Sequence, residues 1–358
     1  MTQINPETLN IAIIGGGIGG FAAATALQHQ GFHPDVYEQA PALGEVGAGI
    51  VVHPFTQRIF KDWGIEKEFY AKAPMLKTLE TFTASGEAAT DVANHLQSSI
   101  VQGEDGLFTA SMRRTDLLNL VAGPVDPSRV HLDHKLVSIQ ETEDGVELTF
   151  ENGAVVKADV VIAANGIKSN IRALISDDEP IYSGLHSVRT IVSHEATKDT
   201  AKDDGMVMYT MKEKFLLMQP VAGGMHFDLG YPSEDPTWFT SVTKEELTAK
   251  MEGYDEKLIK LLDAIEFPIV ARALYHRRPI ERWSSKRITL LGDAAHSMLP
   301  TLGQGANTAI AGADALARAF GDCSTVEDAL QQYENERRPI TTAIQNESAG
   351  IKHVLTVD

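Results

Sequence analysis

The sequence predicts an α/β protein in which a doubly wound, parallel-sheet domain carries an inserted antiparallel-sheet domain. A glycine-rich turn at residues 15–20 lies between a short apolar strand and a helix rich in Ala and Leu, which is the order of a βαβ unit. Continuous apolar strands recur at 158–164 and 287–291, as expected for parallel strands that are covered on both faces. Between about 180 and 270 apolar and polar residues alternate, which favours antiparallel strands.

The elements follow in order along the chain. A helix at 19–29 is expected to lead to a second strand at 34–37, and helices are expected at 55–63 and 67–73. Asp144-Gly145 and Asn152-Gly153 are typical hairpin turns between short strands. Near the end, helices are predicted at 306–320 and 325–338, the second ended by Pro339, because proline cannot donate the helical hydrogen bond.

This pattern divides the chain into two domains. Residues 1–75, 100–179 and 271–358 are predicted to form the dinucleotide-binding domain. Residues 76–99 and 180–270 are predicted to form a β-sheet domain that binds the substrate.

Composition excludes several classes of protein. The chain has 31 Lys and Arg against 49 Asp and Glu, a net charge of −18, which argues against binding along nucleic-acid phosphates. Cys323 is the one cysteine, so an intrachain disulfide and a cysteine-based metal site are excluded. Residues 11–27 are uncharged, but no Lys or Arg precedes them and they contain five glycines, so neither a signal peptide nor a membrane span is expected. We expect a cytoplasmic protein, either a monomer or a homodimer.

The turn at 15–20 contains the G-x-G-x-x-G pattern at Gly15, Gly17 and Gly20. These glycines allow a tight turn, close approach of a pyrophosphate, and close packing of helix on strand. Glu38 ends the next strand, 18 residues after Gly20, where a carboxylate can accept hydrogen bonds from ribose hydroxyls. The unit therefore predicts a bound dinucleotide, either NAD or FAD.

A second strand-to-helix motif, at residues 287–307, selects FAD. A strand runs into Gly292-Asp293, and a glycine-rich stretch at 300–307 opens a helix. Asp293 can bind a ribityl hydroxyl, and the free N–H groups of Ala306 and Asn307 can stabilise negative charge on a flavin ring. We expect non-covalent FAD, because this motif has no histidine or cysteine in an attachment context.

With these motifs the sequence resembles the single-component, FAD-dependent aromatic hydroxylases (class A), which include salicylate and 6-hydroxynicotinate hydroxylases. The resemblance spans about residues 9–345 and implies a Rossmann fold like that of glutathione reductase. The matching stretches lie at 15–20, 37–50, 113–117, 160–172, 182–184 and 290–307.

The resemblance implies further roles for individual residues. Arg114 matches an arginine beside the FAD phosphates or ribityl chain, and Pro300 matches a proline at the reacting edge of the flavin. Gly47 and Ala48 lie in the stretch 46–50, which matches the face along which the flavin shifts. The loop over the flavin ring corresponds to residues 303–307, including Gly303 and Gly305. Asn165-Gly166 stands where the family has Asp-Gly, so a hydrogen bond can be kept while the charge is lost.

The resemblance also implies a reaction for this chain. We expect it to hydroxylate an aromatic or heteroaromatic ring with NAD(P)H and O₂, through a flavin C4a-hydroperoxide. The resemblance thus implies an NAD(P)H-dependent monooxygenase of the EC 1.14.13 type. The sequence has a single G-x-G-x-x-G, so NAD(P)H is expected to bind transiently as a co-substrate.

The substrate pocket is expected between the flavin and the 180–270 sheet. The predicted catalytic residues are His226, Tyr209, His296 and Pro300. The predicted pocket walls are Val51, His53, Met218 and Phe227. His226 and Phe227 are neighbours in a strand, so one of the two can point inward.

Two alternatives stay open: a flavin-dependent reductase or dehydrogenase on the same fold, and a flavin-binding protein without catalysis. Oxygen consumption coupled to product distinguishes the first, and failure of NAD(P)H to reduce the flavin would indicate the second. No metal site is predicted. His131 and His134 are three residues apart in a predicted strand, which would place them on opposite faces.

Overall fold

The computed structural model describes residues 4–44, 49–89, 103 and 106–350. The helices are α1 (Ile18–His29), α2 (Pro54–Asp62), α3 (Glu66–Tyr70), α4 (Arg114–Ala122), α5 (His194–Thr197), α6 (Lys244–Lys250), α7 (Glu256–Ile259), α8 (Asp293–His296), α9 (Gly305–Asp322) and α10 (Val326–Gly350). Short 3₁₀ helices lie at Pro127–Arg129, Arg172–Leu174, Lys260–Ala264 and Pro300–Leu302.

The strands form four sheets. They are β1 (Ile11–Ile14), β2 (Asp35–Tyr37), β3 (Gly49–Val52), β4 (Thr78–Thr83), β5 (Ala110–Arg113), β6 (Val130–His131), β7 (Leu136–Glu141), β8 (Val146–Phe150), β9 (Val155–Ala158), β10 (Val160–Ala163), β11 (Ile181–Val192), β12 (Gly205–Met211), β13 (Lys214–Val221), β14 (Gly224–Pro232), β15 (Phe239–Val242), β16 (Ile269–His276) and β17 (Ile288–Leu290). β3 pairs with β5, and β7, β8 and β9 form a three-stranded meander.

A five-stranded parallel sheet, in the order β17-β10-β1-β2-β6, forms the centre of the first core. Every residue of β1 and β10 is buried, which explains why both strands read as uninterrupted apolar runs. Helices α1 and α9 pack closely because Gly19 lies against Ala309. The rings of Phe32 and Phe320 meet edge to face, with centroids 5.7 Å apart.

A seven-stranded sheet, in the order β15-β16-β11-β14-β13-β12-β4, builds a second core. Its pairs are antiparallel except for β12 and β4, which run parallel. Helices α6 and α7 cover one face through Leu247 and Leu258. The predicted fold class is confirmed. Strand β16 crosses the expected domain boundary at 270 and stays in this sheet to His276, so the boundary belongs after that strand.

The prediction that the last helix ends before Pro339 is wrong, because α10 continues through Pro339 to Gly350. Proline removes one helical hydrogen bond, but the following turns are anchored to the rest of the protein. The Gln345 amide donates to the carbonyls of Arg277 and Ser297, both at 3.2 Å. The Ser348 hydroxyl donates to the Leu299 carbonyl at 2.8 Å.

His131 and His134 do not lie on opposite faces of one strand, because β6 ends at His131 and the backbone turns at Asp133, with φ of 56°. Both imidazoles pack against Tyr37. His131 is bonded to Asp35. Among the described residues there is no group of three or more His, Cys, Asp or Glu side chains placed to hold a metal ion.

Candidate active site

A cavity of about 840 Å³ lies between the parallel sheet and the inner face of the seven-stranded sheet. Gly15, Glu38, Asn165 and Asp293 line it, and each follows the carboxyl end of a parallel strand. Ligands of doubly wound folds bind at this edge. The fold therefore brings together residues that are up to 278 positions apart in the sequence.

The glycines at the β1–α1 turn differ in what they allow. Gly15 has φ of 112°, and a Cβ there would lie 2.5 Å from the Ala164 carbonyl oxygen. Gly17 lines the cavity, and a Cβ there would meet nothing within 4 Å, so its backbone is open to a ligand. Gly20 is behind the turn, where a Cβ would lie 1.9 Å from the Gly15 oxygen. This geometry suits a pyrophosphate at the start of α1.

Glu38 is held by backbone donors at the cavity wall. Its carboxylate accepts hydrogen bonds from Gly16 N at 2.6 Å and from Ala40 N at 2.9 Å. A carboxylate has about four lone-pair positions, so acceptor capacity remains for ribose hydroxyls.

The flavin half of the predicted site is formed by the segment from Asp293 to the start of α9. Asp293 follows Gly292, which has φ of 62°. Gly303 also has φ of 62°, and a Cβ there would lie 2.2 Å from Cγ2 of Val51, so this turn requires glycine. Predicted residues of this region that line the cavity are Arg114, Gly166, Asp293, Pro300, Gly303, Gly305, Ala306 and Val51.

The Asn307 side chain is a structural connection and does not line the cavity. Its Oδ1 accepts from His53 N at 3.0 Å and from the Thr56 hydroxyl at 2.7 Å. Its Nδ2 donates to the carbonyls of Val51 and Gly303, both at 2.9 Å. Three of these bonds join the first turn of α9 to β3 and the start of α2, and the fourth holds the preceding loop at Gly303, so the side chain positions the loop.

Asn165 offers a hydrogen-bond acceptor to the cavity. Its Nδ2 donates to Oδ1 of Asn170 at 3.0 Å, and its buried Oδ1 has no partner among the described residues. A hydroxyl of a bound dinucleotide would satisfy that oxygen. Together with the glycine turn and Glu38, this unpaired oxygen shows that the residues present fit FAD. Gly47 and Ala48 lie outside the described residues.

Tyr209, predicted to be catalytic, and Met218 and Phe227, predicted to be pocket walls, lie on the face of the seven-stranded sheet that points away from the cavity. All three are buried in the second core, and the Tyr209 hydroxyl donates to the Thr200 carbonyl at 2.8 Å. Alternation along the strands places Met208 and Gln219 on the cavity side instead. Side chains alternate between the faces, but both faces are apolar here, so the sequence does not show which face is inward.

His226 does line the cavity, but its ring is engaged by the backbone. Nδ1 accepts from Gly49 N at 3.0 Å, and the Thr190 backbone forms a further hydrogen bond with the ring. Burial lowers its pKa to about 4, so the ring is neutral at pH 7. Both hydrogen bonds are to backbone groups, so in this structure the ring that was predicted to be a catalytic base is engaged by the protein itself.

Unlike His226, the predicted site residues His53 and His296 do not line the cavity. His53 precedes α2 and stacks on Phe55, with ring centroids 5.9 Å apart, and burial lowers its pKa to about 4. His296 is 1% exposed and packs on Trp283, and burial lowers its pKa to about 3. Both rings are core components that stay uncharged near neutral pH.

An ion pair that was not predicted from the sequence lies on the cavity face of β11 and β14. Arg189 Nε donates to Oδ2 of Asp228 at 2.9 Å, and the Ser187 hydroxyl donates to Oδ1 at 2.5 Å. Nη2 of Arg189 is buried without a partner among the described residues. Asp228 is two residues from His226, so strand periodicity could have indicated it once His226 was known to point inward.

The whole of this architecture matches a known family. The model of the FAD binding domain family matches residues 8–348, and the chain belongs to that family. Its FAD cofactor and the predicted resemblance to aromatic hydroxylases are thereby confirmed. Within the family it is related to the flavoprotein monooxygenases.

Individual relatives cover nearly the whole chain. It is 31% identical to the 3-amino-4-hydroxybenzoate 2-monooxygenase PtnB3 of Streptomyces platensis, over 99% of this chain and 90% of the relative. It is 29% identical to the 6-hydroxynicotinate 3-monooxygenase of Bordetella bronchiseptica, over 94% and 90%. HpxO of Klebsiella pneumoniae, solved with FAD and uric acid, shares the fold, with a TM-score of 0.86, 23% identity, and coverage of 99% and 90%. No described helix is long and apolar enough to cross a bilayer.

Proposed function

We propose that this chain hydroxylates an aromatic or heteroaromatic ring with NAD(P)H and O₂, using non-covalently held FAD. The observation that carries the proposal is a continuous cavity, which joins the dinucleotide-binding strand ends to the inner face of the seven-stranded sheet. Its volume of about 840 Å³ lies within the ~300–1,000 Å³ of small-molecule sites. A cofactor bound at the strand ends would therefore meet a ring that lies against the sheet.

The protein's part is to bind, orient and exclude water. When bound, FAD supplies the redox chemistry that no side chain can. Pro300 and the first turn of α9 line the cavity between the two halves, where free N–H groups favour negative charge. Met206, Met208 and Leu217 line the opposite wall and keep water from a bound ring.

An aromatic platform beside Asn165 supports transient binding of the nicotinamide dinucleotide. Trp238 and Tyr275 stack with ring centroids 3.9 Å apart. The Lys168 ammonium lies 3.9 Å from the Trp238 centroid. All three residues line both the main cavity and a neighbouring cleft of about 440 Å³. A flat ring surface with a nearby cation suits a planar heterocycle and its phosphates.

The proposal also includes the division into domains, the cellular location and the oligomeric state. The seven-stranded sheet and its helices form the substrate domain, with residues 277–350 in the FAD-binding part. We place the protein in the cytoplasm, where NAD(P)H is available, as a monomer or homodimer. Light scattering on the purified FAD-loaded protein distinguishes the two assemblies.

The test is aromatic-stimulated oxidation of NADH or NADPH by the FAD-loaded protein under ¹⁸O₂, with product mass as the readout. The proposal expects O₂ uptake in step with NAD(P)H oxidation and a product heavier by one ¹⁸O atom. FAD-free protein is the control. Reduction of an organic substrate without oxygen incorporation would indicate a reductase, and a flavin that NAD(P)H does not reduce would indicate a non-catalytic flavoprotein. Mass measurement after denaturation tests the non-covalent linkage.

A further inference from the structure

An apolar chamber lies between the flavin loop and the seven-stranded sheet. It is defined here by Met206, Met208 and Leu217 of the sheet, Val51 of β3 and Leu302 of the loop. Met206 and Met208 of β12 and Leu217 of β13 share the cavity face. Val51 packs in one cluster with Met206, and Leu302 in another with Met208, while Leu217 packs against both clusters. The chamber is therefore lined by flexible, polarisable or branched apolar side chains that suit a ring.

One polar side chain interrupts this wall. Gln219 follows Leu217 on the same face of β13 and lines the cavity. It is 2% exposed, and its Oε1 has no hydrogen-bond partner among the described residues. A buried amide oxygen left unpaired is costly, so a ligand group that pairs with it gains affinity. An amide group both donates and accepts hydrogen bonds, and a hydroxyl group can pair with it as acceptor or as donor.

The charged side chains on the described cavity face of the sheet lie on β11, β14 and β16, outside the strands β12 and β13 that line the chamber. They are Arg189, Asp228 and Arg272. Asp228 is directly opposite Leu217 in the register, so the charge that borders the chamber is negative, and Arg189 is one strand beyond Asp228. Two strand spacings, roughly 10 Å, therefore separate Arg189 from Leu217, and Asp228 neutralises it at 2.9 Å.

A ring carboxylate seated in the chamber would lose its hydration without gaining a cation. The net charge of −18 also opposes the approach of anions. The substrates named for the relatives, hydroxybenzoate and hydroxynicotinate, carry a carboxylate. This chain's wall offers an apolar surface and one amide instead.

We propose that the chamber binds an uncharged hydroxylated aromatic ring, with its hydroxyl on Gln219, rather than a ring carboxylate. The proposal rests on the proposed function and names its substrate class. Arg189 is the competing site for an anion, since its Nη2 is unpaired, and the test includes it.

The test is equilibrium dialysis of three probes of similar size against FAD-loaded protein at pH 7, without NAD(P)H. The probes are 4-methylphenol, 4-hydroxybenzoate and toluene. We expect 4-methylphenol to bind at least ~10-fold more tightly than 4-hydroxybenzoate, because only the second is charged. Gln219→Leu should weaken 4-methylphenol about 10-fold or more while leaving toluene unchanged. Met218→Leu, on the opposite face of the same strand, is the matched control and should change neither.

Installing a cation provides the converse test. Met208→Arg should raise the affinity for 4-hydroxybenzoate and lower that for 4-methylphenol. Equal or tighter binding of 4-hydroxybenzoate by the natural protein would overturn the proposal. Loss of that binding in Arg189→Gln would then identify Arg189 as the group that holds the carboxylate. Failure of 4-methylphenol to bind up to its solubility would overturn it as well. Dialysis measures binding alone, so it tests this inference separately from the ¹⁸O₂ experiment. A protein that binds 4-methylphenol but hydroxylates nothing would contradict the proposed function and leave this inference standing.

Discussion

Gly49 and His226 lie so close that no side chain fits between them. A Cβ on Gly49 would lie 2.6 Å from Cγ of the His226 ring, and Gly49 N donates to Nδ1 of that ring at 3.0 Å. This pair joins the first residue of β3 directly to the seven-stranded sheet at the edge of the cavity. The histidine therefore positions the cavity wall.

Gly49→Ala should destabilise the protein by ~1–3 kcal/mol, the usual cost of overpacking a tight site. Urea unfolding of the FAD-loaded protein measures this. Gly44→Ala is the matched control, because a Cβ there meets nothing within 4 Å. A second replacement, His226→Ala, should recover part of the loss in the double variant, since the two positions are in contact. Full tolerance of Gly49→Ala alone would contradict the packing described.

Acid should destabilise the protein through its buried histidines. Burial lowers the pKa to about 4 for His53 and His226 and to about 3 for His296. An unfolded histidine titrates near ~6.5. The folded state thus binds fewer protons, and stability is lost as pH falls from 6.5 toward 4, by up to ~1.4 kcal/mol per pH unit for each histidine.

Urea unfolding at pH 7.5, 6.0 and 5.0, with FAD in constant excess, tests this pH dependence. His226→Gln should make the dependence shallower by up to one proton, because the amide does not titrate. His33→Gln, at a half-exposed histidine, is the control for replacing a histidine that is not buried. A stability that is constant from pH 7.5 to 5.0 would be inconsistent with three neutral buried rings.

Tyr209→Phe should leave catalysis intact and cost ~1 kcal/mol of stability. The lost hydroxyl donates to the Thr200 carbonyl within the second core, and such a bond contributes about that much. We expect kcat/KM within about twofold of the natural value, which is ~0.4 kcal/mol in barrier. Met208→Ala, the neighbour that faces the cavity, should raise KM. A large fall in kcat for Tyr209→Phe at unchanged stability would return Tyr209 to the active site.

Asn165→Asp should fold and retain FAD. The introduced carboxylate cannot donate to Oδ1 of Asn170, which Nδ2 of Asn165 reaches at 3.0 Å. Rotation of the Asn170 amide restores a hydrogen bond and gives up its 3.4 Å contact with the Leu136 carbonyl. We expect the rate of flavin reduction by NAD(P)H to change by less than about tenfold, ~1.4 kcal/mol in barrier.

Stopped-flow reduction of the Asn165→Asp and natural proteins, with and without an aromatic ligand, measures this change. Asn165→Ala is the comparison that removes the hydrogen bonds as well as the shape. An Asn165→Asp protein that purifies without FAD would show that this loop is misplaced relative to the cofactor. An increase in rate well beyond tenfold would show that the natural amide impairs reduction.

The cofactor half of the site was readable from the sequence because its signals are local. Gly15 and Gly17 are required by a tight turn between a strand and a helix, and that requirement leaves the same spacing wherever the unit occurs. Asp293 and Gly303 likewise lie at fixed distances from a buried strand and a helix start. The carboxyl ends of parallel strands then bring these positions to one edge.

Local sequence patterns are enough to predict the α/β class, the FAD cofactor and the enzyme family. The residues that face the cavity from the seven-stranded sheet depend on packing between distant segments. Met218 and Gln219 are adjacent, and which of them faces the cavity depends on what packs against each sheet face, since both faces of β13 are buried. His226 was predicted to be a base, yet Gly49, 177 residues away in the chain, occupies its ring nitrogen. Long-range packing sets the orientation and protonation of such groups, and no local pattern records it.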